Sequence, residues 1–265
     1  MNGIEIKQLS FSYPNGYTAL KNINLEIKKG ENIAILGQNG AGKTTLVKMM
    51  NGLLRPSSGE VSVNGNDIFN MTTARVSKMV GYVFQNPGDQ IFNNTVFEEI
   101  AFVLKYNKVP KEEIKKIVSD VAELCGLKKY LDKNPYDLPF STRKFVTIAS
   151  VIATGADYII LDEPTAGQDL MGLNILKNII KRLKELKKTI ITITHDMDFV
   201  VENFEKIIVM SKRGIIANGL KEDIFYDFNI LNESSLKQPI IAEISTKVGM
   251  NKKVMTIENF IKNLK

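Results

Sequence analysis

The chain has one cysteine, one histidine and no tryptophan in 265 residues. A single thiol excludes an internal disulfide and any cysteine-rich zinc module, and Cys125, close to Leu124 and Leu127, is expected to be a packed, structural residue. Long apolar runs are also missing. The candidates at 33–36, 158–161 and 190–193 fall far short of the roughly 20 residues that cross a bilayer. The opening Met-Asn-Gly-Ile-Glu-Ile-Lys lacks the pattern of a secretory signal, so the chain is expected to stay in the cytoplasm. Basic charge exceeds acidic charge only modestly, 35 Lys and Arg against 29 Asp and Glu. The basic residues are spread along the chain at helix-face spacings, as in Lys111, Lys115 and Lys116 or Lys181, Arg182 and Lys184. Nucleic-acid binding is therefore not expected, whereas residence near a membrane surface stays open. With 44% apolar and 24% charged residues in 29.7 kDa, the composition excludes a disordered or fibrous chain and allows one large core or two modest ones.

What the chain does have is a phosphate-cradling sequence, Gly37-Gln38-Asn39-Gly40-Ala41-Gly42-Lys43-Thr44-Thr45. It follows the apolar run Ile33 to Leu36 and precedes Leu46 to Met50, so a buried strand feeds through glycines into a helix. Without Cβ atoms the backbone can curl its N–H groups around an anion that also lies at the positive end of that helix. Lys43 supplies a mobile cation for the β- and γ-phosphates, and the Thr44 hydroxyl can ligate Mg²⁺. Read alone, the segment is also compatible with an ordinary glycine-rich turn.

Around this loop the organisation is α/β. Short apolar pieces in the first 30 residues, with Pro14-Asn15-Gly16 as a turn, read as antiparallel strands. Ile114, Ile117, Val118, Val121 and Leu124 fall at helical spacing within a helical insertion over about 86–157. Strands at 158–162, 189–194 and 206–210, with a helix over 173–186 between the first two, predict a parallel core with right-handed crossovers. From about Phe225 the chain turns polar and mixed, ending in the amphipathic piece Ile257, Phe260, Ile261 and Leu264, which needs its own domain or a partner to cover it.

Tyr158-Ile159-Ile160-Leu161-Asp162-Glu163 is a buried-strand pattern ending in two carboxylates. Beside a phosphate loop, Asp162 can hold the water shell of Mg²⁺ and Glu163 can polarise an attacking water. His195 follows the apolar strand Ile190 to Ile193, where it can hydrogen-bond a γ-phosphate or the attacking water. Gln85, in Val83-Phe84-Gln85-Asn86-Pro87, leaves a strand before the helical insertion and can reach the metal. For each of these three the plain alternative is structural: a strand meeting solvent, a packed histidine, a surface amide.

In this order the motifs resemble those of the ATP-binding cassette (ABC) ATPases. Gly37 to Thr45 matches the Walker A loop, Gln85 the Q-loop, Ile159 to Glu163 Walker B, Ala166 to Asp169 the D-loop, and His195 the switch histidine. Tyr13 falls where the family has an adenine-stacking aromatic. The segment Phe84 to Phe92 is similar to that of the energy-coupling factor (ECF) importers, which take up vitamins or transition-metal ions. The resemblance implies a nucleotide-binding domain over 1–225 and a C-terminal subdomain over 226–265 that helps two ATPase chains associate. It implies ATP and Mg²⁺ as cofactors, membrane subunits and a second ABC ATPase chain as partners, and a peripheral location on the cytoplasmic face of the membrane.

One departure is pronounced. The family signature Leu-Ser-Gly-Gly-Gln reads here Leu138-Pro139-Phe140-Ser141-Thr142. Proline has no N–H to donate and phenylalanine keeps a phosphate from the backbone, so this half-site is expected to be weak. Arg143 and Lys144 are candidates to attract phosphate instead, and Ser141 to cap the helix. A heterodimer is favoured on this ground, with a homodimer possible. Gln168 stands where relatives commonly have Leu, for no reason visible in the sequence. Two other readings remain at this level: a soluble ABC ATPase acting on nucleic acid or an assembly complex, and a nucleotide-binding subunit with little hydrolysis of its own.

Overall fold

Alternating apolar residues build the N-terminal hairpin. Strands β1 (Gly3–Ser12) and β2 (Thr18–Lys28) pair antiparallel with Ile4 opposite Ile27 and Ile6 opposite Leu25, all four buried. A bulge between Ile6 and Leu9, with Gln8 at φ 47°, returns Leu9 to the buried face. The turn is as expected, with Gly16 at φ 82° donating to the Tyr13 carbonyl at 2.9 Å. β3 (Asn32–Leu36) is buried along Ile33 to Leu36, and the glycine loop leads from it into α1 (Lys43–Met50). β4 (Ser58–Val63) and β5 (Asn66–Asp67) complete a four-stranded antiparallel sheet in the order β2-β1-β4-β5.

The structure, a computed structural model, describes residues 3–250 and 252–264. The outer ends of the expected domains, Met1 and Lys265, lie outside the described residues. The fold divides into two units, one running to Phe69 and resuming at Ile193, the other spanning Asn70–Thr192.

The second unit contains α2 (Thr73–Ser77), β6 (Val80–Val83), α3 (Val96–Tyr106), α4 (Lys111–Leu124), α5 (Phe140–Ala153), β7 (Tyr158–Asp162), α6 (Leu170–Glu185) and most of β8 (Thr189–Ile193). β6 and β7 are parallel, pairing Gly81 with Ile159 and Val83 with Leu161. Gly81 lets α5 approach β6, because a Cβ there would fall 2.5 Å from the Val151 side chain. Ile114, Val118 and Val121 form the buried stripe of α4, as their spacing predicts. Cys125 is buried at the end of that helix, and burial pushes its thiol pKa up, leaving an inert side chain.

The first unit resumes with α7 (Met197–Asn203), β9 (Lys206–Ser211), β10 (Gly214–Leu220), α8 (Lys221–Phe225), α9 (Phe228–Ser234), α10 (Ile240–Lys247) and α11 (Ile257–Asn263). β9 runs parallel to β3, setting Leu36 beside Val209. The tail folds back through specific bonds: the Tyr226 hydroxyl donates to the Val254 carbonyl and accepts from its N–H, both at 2.8 Å. Ile257 and Ile261 of α11 remain exposed. Among the described residues no helix is long and apolar enough to cross a membrane.

Candidate nucleotide site

The phosphate loop is a backbone cradle that glycine makes possible. Gly37, Gly40 and Gly42 have φ of 144°, 79° and 101°, a region that L side chains rarely adopt. A Cβ on Gly37 would lie 2.1 Å from the Met210 carbonyl oxygen and one on Gly42 2.6 Å from that of Ala19. Gly40 has open space beside it, and Gln38 and Asn39 are likewise exposed, whereas Ala41 is buried beneath the loop. The Lys43 ammonium donates to the carbonyls of Gly37 at 2.7 Å and Gln38 at 3.1 Å, so its charge is held inside the loop. Gly42 caps α1 with no side-chain hydrogen bond, at a helix start of the kind that attracts an anion. Thr44 lies in the first turn, and Thr45 follows it.

Tyr13 is tied to this loop. Its hydroxyl lies 3.0 Å from the Thr45 hydroxyl, and its ring packs edge-on against Phe11 and nearly parallel to Tyr17. The more exposed Tyr17 carries the Arg213 guanidinium 5.2 Å from its ring centre. In the same unit, partial burial and the Lys43 charge hold the His195 pKa below its ordinary value. The imidazole is therefore neutral at pH 7 and able to accept as well as donate.

The carboxylates belong to the second unit. All five residues of β7 are buried, and Asp162 closes the strand at 1% exposure. The Tyr82 hydroxyl donates to its Oδ2 at 2.7 Å, and Oδ1 has no partner among the described residues. Burial and the Asp162 charge push the Tyr82 phenol pKa up, so Tyr82 stays a donor. An orphaned buried carboxylate oxygen is what a hard cation or its water shell satisfies, and Asp162 fits Mg²⁺ on that ground. Among the described residues no three His, Cys, Asp or Glu side chains cluster as a metal site. Glu163 follows in the left-handed region at φ 50°, a strained conformation for a non-glycine residue. Gln85 is exposed two residues beyond β6, and the turn around it is pinned by Phe84 N–H donating to Gln90 Oε1 at 3.1 Å.

Two expectations at the signature segment are corrected. Ser141 does not cap α5: the cap is Pro139, and Ser141 lies inside the helix with its carbonyl accepting from Gln168 Nε2 at 3.1 Å. Lys144 does not present its charge for phosphate, and one terminal nitrogen of Arg143 is engaged by backbone carbonyls. Arg143 donates to the carbonyls of Tyr136 and Leu138, both at 3.1 Å, and Lys144 is fully buried with its ammonium 2.5 Å from the Glu163 carbonyl. Tyr82 had no assigned role in the sequence reading, and Lys144 had only that of attracting phosphate. The available signal for Lys144 was its place among the apolar residues Phe145, Val146, Ile148 and Ala149.

A buried strand entering a helix through a glycine cradle, with another strand ending in Asp-Glu, defines a nucleoside-triphosphate-binding protein of the phosphate-loop class. Residues 20–166 match the family model described as ABC transporter, and the chain belongs to that family, whose ATP-binding chains hydrolyse ATP. It is 41% identical over 240 residues to an ABC transporter ATP-binding protein of Methanosarcina acetivorans, covering 91% of this chain but only 39% of that relative. The energy-coupling factor transporter ATP-binding protein EcfA of Methanocaldococcus jannaschii is 40% identical, covering 91% of this chain and 87% of EcfA. Among solved structures, cbiO1 of Clostridium perfringens, part of the ABC transporter complex cbiONQ, superposes with a TM-score of 0.78 at 35% identity, covering 92% of this chain and 98% of that one. These matches bear out the α/β cassette fold.

Proposed function

We propose that the chain is the ATP-binding and hydrolysing subunit of an ECF-type importer, working from the cytoplasmic face of a membrane with transmembrane subunits and a second ABC ATPase chain. The observation that carries this reading is the similarity to EcfA along nearly the whole of both chains, supported by the likeness to cbiO1. Vitamins or transition-metal ions are the expected cargo class. Membrane subunits select it in such systems, and nucleic acid is not an expected partner.

In this reading Gly37, Asn39, Gly40, Ala41, Gly42, Lys43, Thr44 and Thr45 bind the phosphates, and Tyr13 stacks on adenine. Asp162, Thr44 and Gln85 would hold Mg²⁺, which when bound supplies charge to the phosphate oxygens. Glu163 accepts the proton of the attacking water. His195, neutral at pH 7, hydrogen-bonds the γ-phosphate or that water.

Glu163→Gln keeps the size of the side chain but cannot accept the proton. It is expected to bind Mg-ATP with wild-type affinity and to hydrolyse it at least about tenfold more slowly. Steady-state phosphate release at the wild-type rate would remove Glu163 from the reaction. The importer assignment is tested by co-expressing the chain with candidate membrane subunits and measuring ATP-dependent uptake, which Glu163→Gln should abolish.

A further inference from the structure

The altered signature helix and the turn that follows Walker B are interlocked. Lys144 of α5 has no exposed surface, and its ammonium donates to two backbone carbonyls of that turn, Glu163 at 2.5 Å and Ala166 at 3.3 Å. The Phe140 ring covers Gly167 closely enough that a Cβ there would stand 3.3 Å from it. Gln168 reaches back to the Ser141 carbonyl at 3.1 Å. Every residue in these contacts belongs to the second unit, and three of them, Phe140, Ser141 and Gln168, depart from the family pattern.

We propose that Lys144 is a positioning residue for Glu163: it clamps the backbone of the Glu163–Ala166 turn, and the Phe140–Gly167 and Gln168–Ser141 contacts fasten the other end of the same turn. The proposal rests on the reading of Glu163 as the proton acceptor. A glutamate at φ 50° persists only where its surroundings hold it, and a buried ammonium on its own carbonyl is a direct means of doing so. Burial lowers the Lys144 pKa, and the neighbouring Glu163 and Asp162 charges oppose that shift only in part. Substitutions that weaken contact with a partner's phosphate therefore strengthen an internal contact. This gives Gln168 a physical role that the sequence alone left open.

The test uses the full chain, in the assembly that supports its hydrolysis, as wild type, Lys144→Met, Lys144→Arg, Glu163→Gln and the Lys144→Met/Glu163→Gln double variant. Lys144→Met is expected to lower kcat at least about tenfold while the Kd for a fluorescent ATP analogue stays within about twofold. Lys144→Arg, which keeps the charge and donors, is expected to restore part of kcat, and the double variant to be no slower than Glu163→Gln alone, because both act through one group. Independently of turnover, amide hydrogen exchange across 163–168 is expected to speed up at least about tenfold in Lys144→Met and to stay near wild type in Lys144→Arg. Unchanged exchange in Lys144→Met, or multiplicative loss of kcat in the double variant, would overturn the proposal. Faster exchange with a fully active Glu163→Gln would leave the clamp standing and remove the catalytic reading of Glu163. If Lys144→Met does not fold, unchanged exchange and kcat in Lys144→Gln, which lacks the charge, overturns the proposal in the same way.

Discussion

At the residue scale, the chemistry is carried by a few side chains whose types are dictated by what they bind. Tyr13 is expected to offer its ring to adenine while its hydroxyl stays on Thr45, which fixes the ring at the edge of the phosphate loop. Tyr13→Ala should weaken binding of a fluorescent ATP analogue by about 1 kcal/mol, close to fivefold. The exposed Tyr17, already covered by Arg213, should matter less, and an unchanged affinity in Tyr13→Ala with a loss in Tyr17→Ala would reverse the assignment. His195 yields a pH prediction. Its folded pKa lies below its ordinary value, so in the interval up to about 6.5 the unfolded chain binds more protons. Its contribution to stability is complete above about pH 6.5 and is lost as the pH falls through the folded pKa. Melting temperature should drop more steeply between about pH 7.5 and pH 5.5 in the wild type than in His195→Gln, and equal slopes would contradict this. These positions are proposed from the sequence because phosphate, metal and water would each demand particular groups in a particular order. Lys144 was not legible as an internal residue, since a lysine after a degenerate signature reads as a cation seeking phosphate until its burial is known.

At the element scale, the buried strands and long amphipathic helices followed directly from apolar runs and helical spacing, as β3, β7, β8 and α4 illustrate. Elements held by long-range contacts did not. β4 and β5 begin in polar residues and exist by pairing with β1 and with each other. The β9–β10 hairpin turns through Lys212 and Arg213 at φ 47° and 72°, where the usual turn signal would be Asn-Gly, so its sequence conceals it. The tail helices are short, with caps from Asp227 and Thr256 and anchorage from Tyr226 and Gln238 that no local pattern announces. One buried charge holds an irregular segment between elements. Glu99 of α3, 4% exposed, accepts from the Phe92 and Asn93 N–H groups at 3.2 and 2.9 Å and from the Asn93 side chain at 2.9 Å, fixing the chain between Gln85 and the helices. Glu99→Ala should cost about 2 kcal/mol or more in chemical denaturation by leaving those donors unmet, and Glu99→Gln should recover part of it. A loss below about 0.5 kcal/mol in Glu99→Ala would show that water replaces the carboxylate without penalty.

At the scale of the whole molecule, the motifs are asymmetric. This chain keeps the Walker A loop, Asp162, Glu163 and His195, while its signature segment begins with a proline cap and the Phe140 ring packed on Gly167. In a homodimer both nucleotide sites would face that segment; beside a second cassette with an intact signature, one competent site would be built on this chain's own Glu163. The direct measurement is steady-state phosphate release from this chain alone, with the second cassette chain added, and with Glu163→Gln in the mixture. Slow turnover alone, a rise of at least about tenfold on adding the partner, and loss of that rise in Glu163→Gln are predicted. Full activity from the isolated chain, unchanged by Pro139→Ser and Phe140→Gly together, would contradict the account.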